Sequence, residues 1–474
     1  MASSTPQNSL YERYASPAMA GLFSAEYRYG VWRRLWITLA DCQRQLGLPI
    51  SEEQIARLRQ VADGIDFARV AEIEKETRHD VVSHLRHFAE QAGDAGSILH
   101  LGATSAFITD NTDLILLREA LELLRQRTAS VAGALAAFAE TTREIPTLAF
   151  THLQPAQLTT VGKRACVWLQ EFILDLEAQK RFLDAMRCRG VKGTTGTQAS
   201  YLTLFAGDHD RVRQLDRMFA RRIGFAESFP VTGQTYPRKQ DSQILALLAG
   251  TAESCHKLGT DIRLLQGMGE ISEPFGSSQV GSSAMAYKRN PIRSERMCGL
   301  ARRLITDSLN GSLTASTQWL ERSLDDSANR RLVLPDSFLI ADAILGLAAG
   351  IVSGLTVNEP RIQHHVGREL PFMATESLLM KATVGGGNRQ ELHEIIRRHS
   401  MTAHAAVSRG DDNPLIALLM EDPAFALESG EMDAILQPEA FTGRAAQQVL
   451  DYLAEAVAPA LADIDAADIE EPRV

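Results

Sequence analysis

Long apolar stripes at helical spacing constrain this chain more than any other feature. Leu114, Leu117, Leu121, Leu124, Val131, Leu135 and Phe138 recur in steps of three and four, with Thr128 filling the gap. Ile244, Leu248, Thr251, Cys255, Leu258, Ile262 and Leu265 repeat the stripe. Between them run Leu158, Ala165, Leu169, Phe172, Leu176 and Leu183, after Pro155, a residue tolerated in a first helical turn. A fourth segment extends from Pro291 towards Leu309, and a fifth from about Pro335 to Leu355. Such spacing returns side chains to one face of an α-helix. Stripes this long and narrow belong to helices packed side by side. β-branched alternation is short and rare, so the expected fold is all-α.

Three helical domains follow: residues 1–104, a long central bundle over 105–357, and a smaller part over 358–474. The last is opened by Pro360 and carries the Gly385-Gly386-Gly387 hinge, after which Asn388 and Glu391 form a capping pair for a helix. Aromatics make up 6% of the chain, so the core is built from Leu, Ala, Ile and Val. Stripes interrupted by Thr and Cys leave room for a second buried face against copies of the same chain.

Composition narrows the function classes. A formal net charge of −10 argues against a general nucleic-acid or anionic-membrane partner, so any positive site is local. Cys42, Cys166, Cys188, Cys255 and Cys298 are scattered and form no CxxC pair, which points to reduced thiols. The start of the chain lacks a signal-like apolar run, and no run of eighteen uninterrupted apolar residues occurs. The expected location is the cytoplasm.

Phosphate-loop, HExxH and GxSxG patterns are missing from the sequence. Four polar stretches interrupt the apolar helices instead. "TRHDVVSHLRHF" places Asp80, His84 and His87 at i, i+4 and i+7, a spacing open either to a metal or to a solvated helix face. We expect no metal and no cofactor. "LHLGATS" sets small hydroxyl residues before the first bundle helix, suited either to gripping a carboxylate or to capping. "FTHLQPAQLTT" carries His152, either structural or functional. "VGSSAMAYKRNPIRSER" combines a glycine-flanked serine pair, Lys288, and an Asn290-Pro291 step that reads as an N-cap with first-turn proline. A helix N-terminus, Lys288 and Asn290 together suit an oxyanion; the alternative is a surface loop with ordinary capping.

"GSSAMAYKRNP" resembles the GSSxMPxKxN signature of the fumarase/aspartase superfamily. "RYASP", "TRHDVVSH", "LHLGATS", "FTHLQPAQLTTVGKR", "RGVKGTTGTQAS", "TGQTY", "RNPIRSER", "LDDSANRR", "RELPFMATE" and "FTGRAAQQV" extend the likeness over nearly the whole chain. "LDDSANRR" with "KRNPIRSER" points to the branch acting on succinyl-purine nucleotides. The resemblance implies a homotetramer with a twenty-helix core and active sites shared between subunits. It also implies C–N cleavage releasing fumarate, from adenylosuccinate to give AMP and from the succinyl-carboxamide imidazole ribotide.

By motif position, the resemblance makes Ser282 the general base and His152 the general acid oriented by Glu295, with His79 a second site histidine. Thr104, Ser105, Lys288 and Asn290 match succinyl-carboxylate positions, and Asp80 is His79's neighbour. Arg13, Tyr14, Arg322, Ser327 and Arg331 match the nucleotide and phosphate end. Gln234 and Arg296 match further contacts, and Arg78 and Thr151 flank the two histidines. The chain departs from the pattern at Ala286, where the family has proline; alanine frees the backbone there. Two readings stay open beside this one: another lyase of the superfamily, such as one acting on argininosuccinate, and a catalytically silent structural homologue.

Overall fold

The computed structural model describes residues 8–276, 279, 284–285, 287–425 and 429–466. Five bundle helices carry the stripes: Ser105–Thr141, Val161–Ala185, Lys239–Met268, Ile292–Asp307 and Asp325–Ser353. Leu114, Leu117, Leu121, Leu124, Val131 and Leu135 on the first, and Ile244, Leu248, Cys255, Leu258 and Ile262 on the third, are all buried. Each such side chain contributes roughly 1.5–3 kcal/mol by leaving water. The fold is all-α, as the periodicity predicts.

The polar gaps in the stripes meet one another. Gln179 of the second helix donates through Nε2 to Thr128 Oγ1 of the first at 3.2 Å and to Thr251 Oγ1 of the third at 3.3 Å. This buried layer fixes how the three helices slide past each other, because a shifted register leaves the amide unpaired.

Two sequence expectations fail at proline. Pro155 does not start the second helix; it lies in the strand Gln154–Thr160, which pairs antiparallel with Pro146–Thr151. The helix begins at Val161, capped by Thr160, whose Oγ1 accepts from Lys163 N–H at 3.1 Å. The fifth helix begins at Asp325 and holds Pro335 inside it, so "LDDSANRR" forms its first two turns. An 18-residue window of that helix has a mean hydropathy of 1.8, enough to cross a membrane, yet 83% of the window is buried inside the molecule. Its apolarity serves the bundle core.

Ahead of the bundle, Ser16 caps helix Pro17–Leu22 and gives its N–H (2.7 Å) and hydroxyl (3.3 Å) to the fully buried Asp342 carboxylate. Arg127 faces the same carboxylate at 2.7 Å. This junction seats Arg13 and Tyr14 beside the bundle. Towards the other end, Asn388 caps helix Arg389–Ser408 and bonds Glu391, as the sequence predicts. Leu378, Leu379, Leu392, Ile396, Leu415 and Leu419 form a small core of their own, whereas Ile362, Val366, Leu370, Val449 and Val457 join the main one.

Candidate active site

The site begins at a sharp change of direction. Helix Phe67–Thr77 ends on Arg78 in the left-handed region (φ 50°), and His79 is the extended residue preceding helix Asp80–Ala92. The His79 carbonyl accepts from Ser83 N–H and Oγ–H (3.0 and 2.7 Å), which fixes the backbone from which the imidazole projects. The ring's Nε2 lies 3.3 Å from Ser105 Oγ, and its Nδ1 lies 3.4 Å from Asp80 Oδ1. The other Asp80 oxygen accepts from Arg331 at 2.9 Å, and Arg331 Nε reaches Ser327 Oγ at 3.4 Å. Burial pushes the Asp80 carboxyl up, but the Arg331 hydrogen bond and charge outweigh it and hold the group below the usual carboxylate range. The Asp80 bond raises Arg331 in turn. One continuous polar group therefore joins Ser105, His79, Asp80, Arg331 and Ser327.

Ser105 is the first residue of the first bundle helix, and Thr104 before it is extended without a side-chain cap. Gly102 stands at φ 74°, where a Cβ would come within 2.8 Å of the Tyr201 ring. His84 and His87 do not converge with Asp80. His84 stacks on Tyr29 at 3.8 Å between ring centroids, and His87 Nε2 accepts the Asp66 N–H at 3.0 Å.

Beneath this group lies a charge network that sequence reading did not find. Arg238 pairs with Asp110 (3.1 Å) and Asp326 (2.7 Å), and Arg330 with Asp241 (2.7 Å) and Asp113 (3.1 Å). Arg28 closes on Asp113 at 2.6 Å, while Arg322 takes both Asp326 oxygens at 3.0 and 3.1 Å. Tyr236 donates to Asp241 and accepts from Arg330. Helical spacing thus splits "LDDSANRR": Asp326 and Arg330 point inward to bind the bundle, while Arg331 reaches Asp80 and holds Ser327 beside it.

Gln234 is half-buried, its N–H bonded to the Glu321 carbonyl (2.9 Å) and its own carbonyl to Arg189 Nε (2.7 Å). The glycines of "KGTTGTQAS" find their purpose here. A Cβ on Gly196 would lie 1.8 Å from the Thr232 carbonyl oxygen, so only glycine lets these two loops touch.

The hairpin Pro146–Thr160 turns at His152 and Leu153, both left-handed (φ 54° and 58°) and both exposed. A two-residue turn of this kind needs positive φ at both positions and favours Asn-Gly. His-Leu instead stores strain of order 1–3 kcal/mol per residue. Thr151 flanks the tip.

The stretch after the signature pattern corrects another expectation. Asn290 is not the N-cap; helix Ile292–Asp307 is preceded by Pro291, with no side-chain cap. Its first N–H groups are already taken: Arg293 and Ser294 N–H each donate to Glu273 at 2.9 Å, and Ser294 Oγ at 2.7 Å. That end of the helix dipole is neutralised by a protein carboxylate and is not left for a ligand. Lys288 and Glu295 are exposed, Asn290 is half-buried, and Arg296 holds one buried guanidinium nitrogen (Nη1) without a hydrogen-bond partner among the described residues. Ser282, the expected base, lies outside the described residues, as do its neighbour Ser283 and Ala286. His152, Lys288 and Glu295 share no hydrogen bond or ion pair with the His79 group among the described residues.

A family model described as "Lyase" matches residues 13–306, and one described as "Adenylosuccinate lyase C-terminus" matches 371–452. The chain is 47% identical to an adenylosuccinate lyase of Schizosaccharomyces pombe over 472 residues, 99% of this chain and 97% of that one. To the enzyme of that name from Saccharomyces cerevisiae it is 46% identical, over 95% of each chain. It belongs to the adenylosuccinate lyase family.

Among solved structures, a β-carboxy-cis,cis-muconate cycloisomerase from Acinetobacter calcoaceticus superposes with a TM-score of 0.81 at 20% identity, covering 95% of this chain and 100% of that one. A fumarate lyase from a Mesorhizobium species gives 0.78 at 24% identity, covering 97% and 100%. These two speak for the fold. Within this family member, His100 is a site neighbour that the motif reading passed over. It is left-handed (φ 63°), accepts from Trp36 Nε1 at 2.9 Å, and is pulled down to about 4 by burial and then by the nearby His79. The histidine is visible in "LHLGATS", but its strained backbone and its proximity to His79 are not.

Proposed function

We propose that this chain is an adenylosuccinate lyase whose elimination uses Ser282 as base and His152 as acid. The enzyme releases fumarate from adenylosuccinate to give AMP, and from the succinyl-carboxamide imidazole ribotide in the same way. The observation that carries this reading is the 47% identity to a curated relative of that name across 99% of the chain.

The reaction removes a proton beside a carboxylate, so negative charge accumulates on that carboxylate before the C–N bond breaks. Lys288 and Asn290 are assigned to that charge, with Thr104 and Ser105 at the start of the long bundle helix holding the succinyl group. Because Glu273 occupies the N-terminus of helix Ile292–Asp307, the stabilising charge here is the ammonium rather than that dipole. Arg13, Tyr14, Arg322, Ser327 and Arg331 are assigned to the nucleotide and its phosphate, His79 to the chemistry as a second site histidine, and Asp80 and Arg78 to further substrate contacts. The Asp80–Arg331 pair supports this, because it holds a cation and an imidazole side by side where a phosphate and base can lie. Gln234, Arg296 and Thr151 complete the contacts. His152, oriented by Glu295, protonates the departing purine amine, general-acid work that an imidazole performs.

The site is assigned to a homotetramer in the cytoplasm. The exposure of His152, and separately that of Trp319, Leu320, Leu324 and Leu332, supports neighbouring subunits covering these surfaces. The exchange between argininosuccinate and the purine substrates is tested directly. Purified protein is given each succinyl substrate, and fumarate is followed by its ultraviolet absorbance. Turnover on both purine intermediates is expected; turnover on argininosuccinate alone, or on none, overturns the reading.

A further inference from the structure

Glu273 follows the short strand Ile271–Ser272 and is 4% exposed. Its carboxylate accepts three hydrogen bonds, from the N–H groups of Arg293 and Ser294 and from the Ser294 hydroxyl. Its own N–H donates to Gln266 Oε1 at 3.0 Å, and Gln266 Nε2 donates to the Arg289 carbonyl at 3.0 Å. Arg289 places its guanidinium 5.3 Å from the centroid of the Phe275 ring. Residues before and after the signature segment are thus tied to each other at one crossing.

An ordinary helix start takes its acceptor from the residue beside it. Here Pro291 offers none, and the first-turn N–H groups would be orphaned. The acceptor comes instead from a carboxylate twenty residues upstream, through charge-assisted bonds. A remote cap satisfies the same donors as a local one, but it also fixes the direction of the helix relative to the strand. Glu295 is the next residue after Ser294, and Lys288 and Asn290 flank Arg289.

We propose that Glu273 is a positioning residue for the elimination, acting through the first turn of helix Ile292–Asp307 to aim Glu295 and the Lys288–Asn290 stretch. Glu273 does not touch substrate, since its oxygens are spent on protein donors. The inference rests on the roles given above to Lys288, Asn290 and Glu295.

The test uses the full-length enzyme and fumarate release, well below the thermal midpoint, with folding verified by circular dichroism. In Glu273→Gln an amide NH2 faces N–H donors, and the turn shifts. A misplaced turn lowers kcat by up to about 10²-fold, with KM changed less than about threefold. Glu273→Asp recovers part of the loss. The double variant Glu273→Gln, Glu295→Ala loses less than the product of the two single losses, because the part of the effect that runs through Glu295 is already gone. Wild-type kcat in Glu273→Gln, or a double variant whose loss is the product of the single losses, overturns the proposal. Glu295→Ala and Lys288→Ala separate the two layers: if both keep full turnover, the site reading itself fails. Should Glu273→Gln not fold, Ser294→Ala removes only the hydroxyl bond; a several-fold kcat loss is expected, and an unchanged kcat there overturns the inference.

Discussion

At the scale of single residues, the hairpin tip is where local preference is most clearly overridden. His152 and Leu153 both occupy the left-handed region, and Leu153 is 63% exposed, so its side chain gains little from burial. Strain kept without packing in return is expected where geometry serves chemistry. Leu153→Gly relieves it at small packing cost, while giving the tip freedom it does not now have. The thermal midpoint is therefore expected to hold or rise slightly, and kcat to fall several-fold through looser aiming of His152. Calorimetry with steady-state fumarate release checks both; an unaltered kcat removes the case for a functional strain.

At the scale of elements, the packing of the second and third bundle helices contains a misplaced charge. Asp175 of helix Val161–Ala185 is pushed up to about 7 by burial, against the opposing hydrogen bond from Ser254, with Glu171 and Glu253 adding to the rise. A carboxyl raised above its unfolded value contributes stability that is full below about pH 4 and is lost as pH climbs to about 7. Asp175→Asn keeps an acceptor for Ser254 and removes the titration. Its advantage over the wild type should grow between pH 4 and 7 and level off above, reaching a few kcal/mol at most. Thermal melts across that range decide it, and a gain that does not vary with pH contradicts the assignment. The same scale shows what a sequence can disclose. The stripes of the first and third helices and the Asn388 cap were legible because they depend on near neighbours. The hairpin was not: its strands are short, and Pro155 at a strand position imitates a helix start. The network of Arg238, Asp110, Asp326 and Arg330 was also hidden, because Arg238 and Asp110 lie 128 residues apart. Ser327 and Arg331 were found by resemblance, whereas the inward roles of Asp326 and Arg330 required the helix phase.

At the scale of the whole molecule, one chain presents its chemistry in separate places. His79, Asp80, Ser105 and Arg331 form one polar group, yet His152 stands at an exposed tip and Glu295 on another helix. Leu320 is 98% exposed and Trp319 74%, close in sequence to that polar group's fifth helix, a combination costly to leave in water. The proposed oligomer would account for both facts if the tip of one subunit met the polar group of another. Ser282→Ala and His152→Ala, each inactive alone, then test the sharing quantitatively. If each site draws its serine and its histidine from different subunits, random mixing gives each an even chance of being intact. About a quarter of sites then hold both groups, and activity returns to about that fraction of wild type. If both groups come from one subunit, every site lacks one of them, and mixing restores nothing. Differently tagged variants, refolded together and analysed by native mass spectrometry, establish that mixed oligomers formed. Mixed oligomers without recovered turnover would end the shared-site reading.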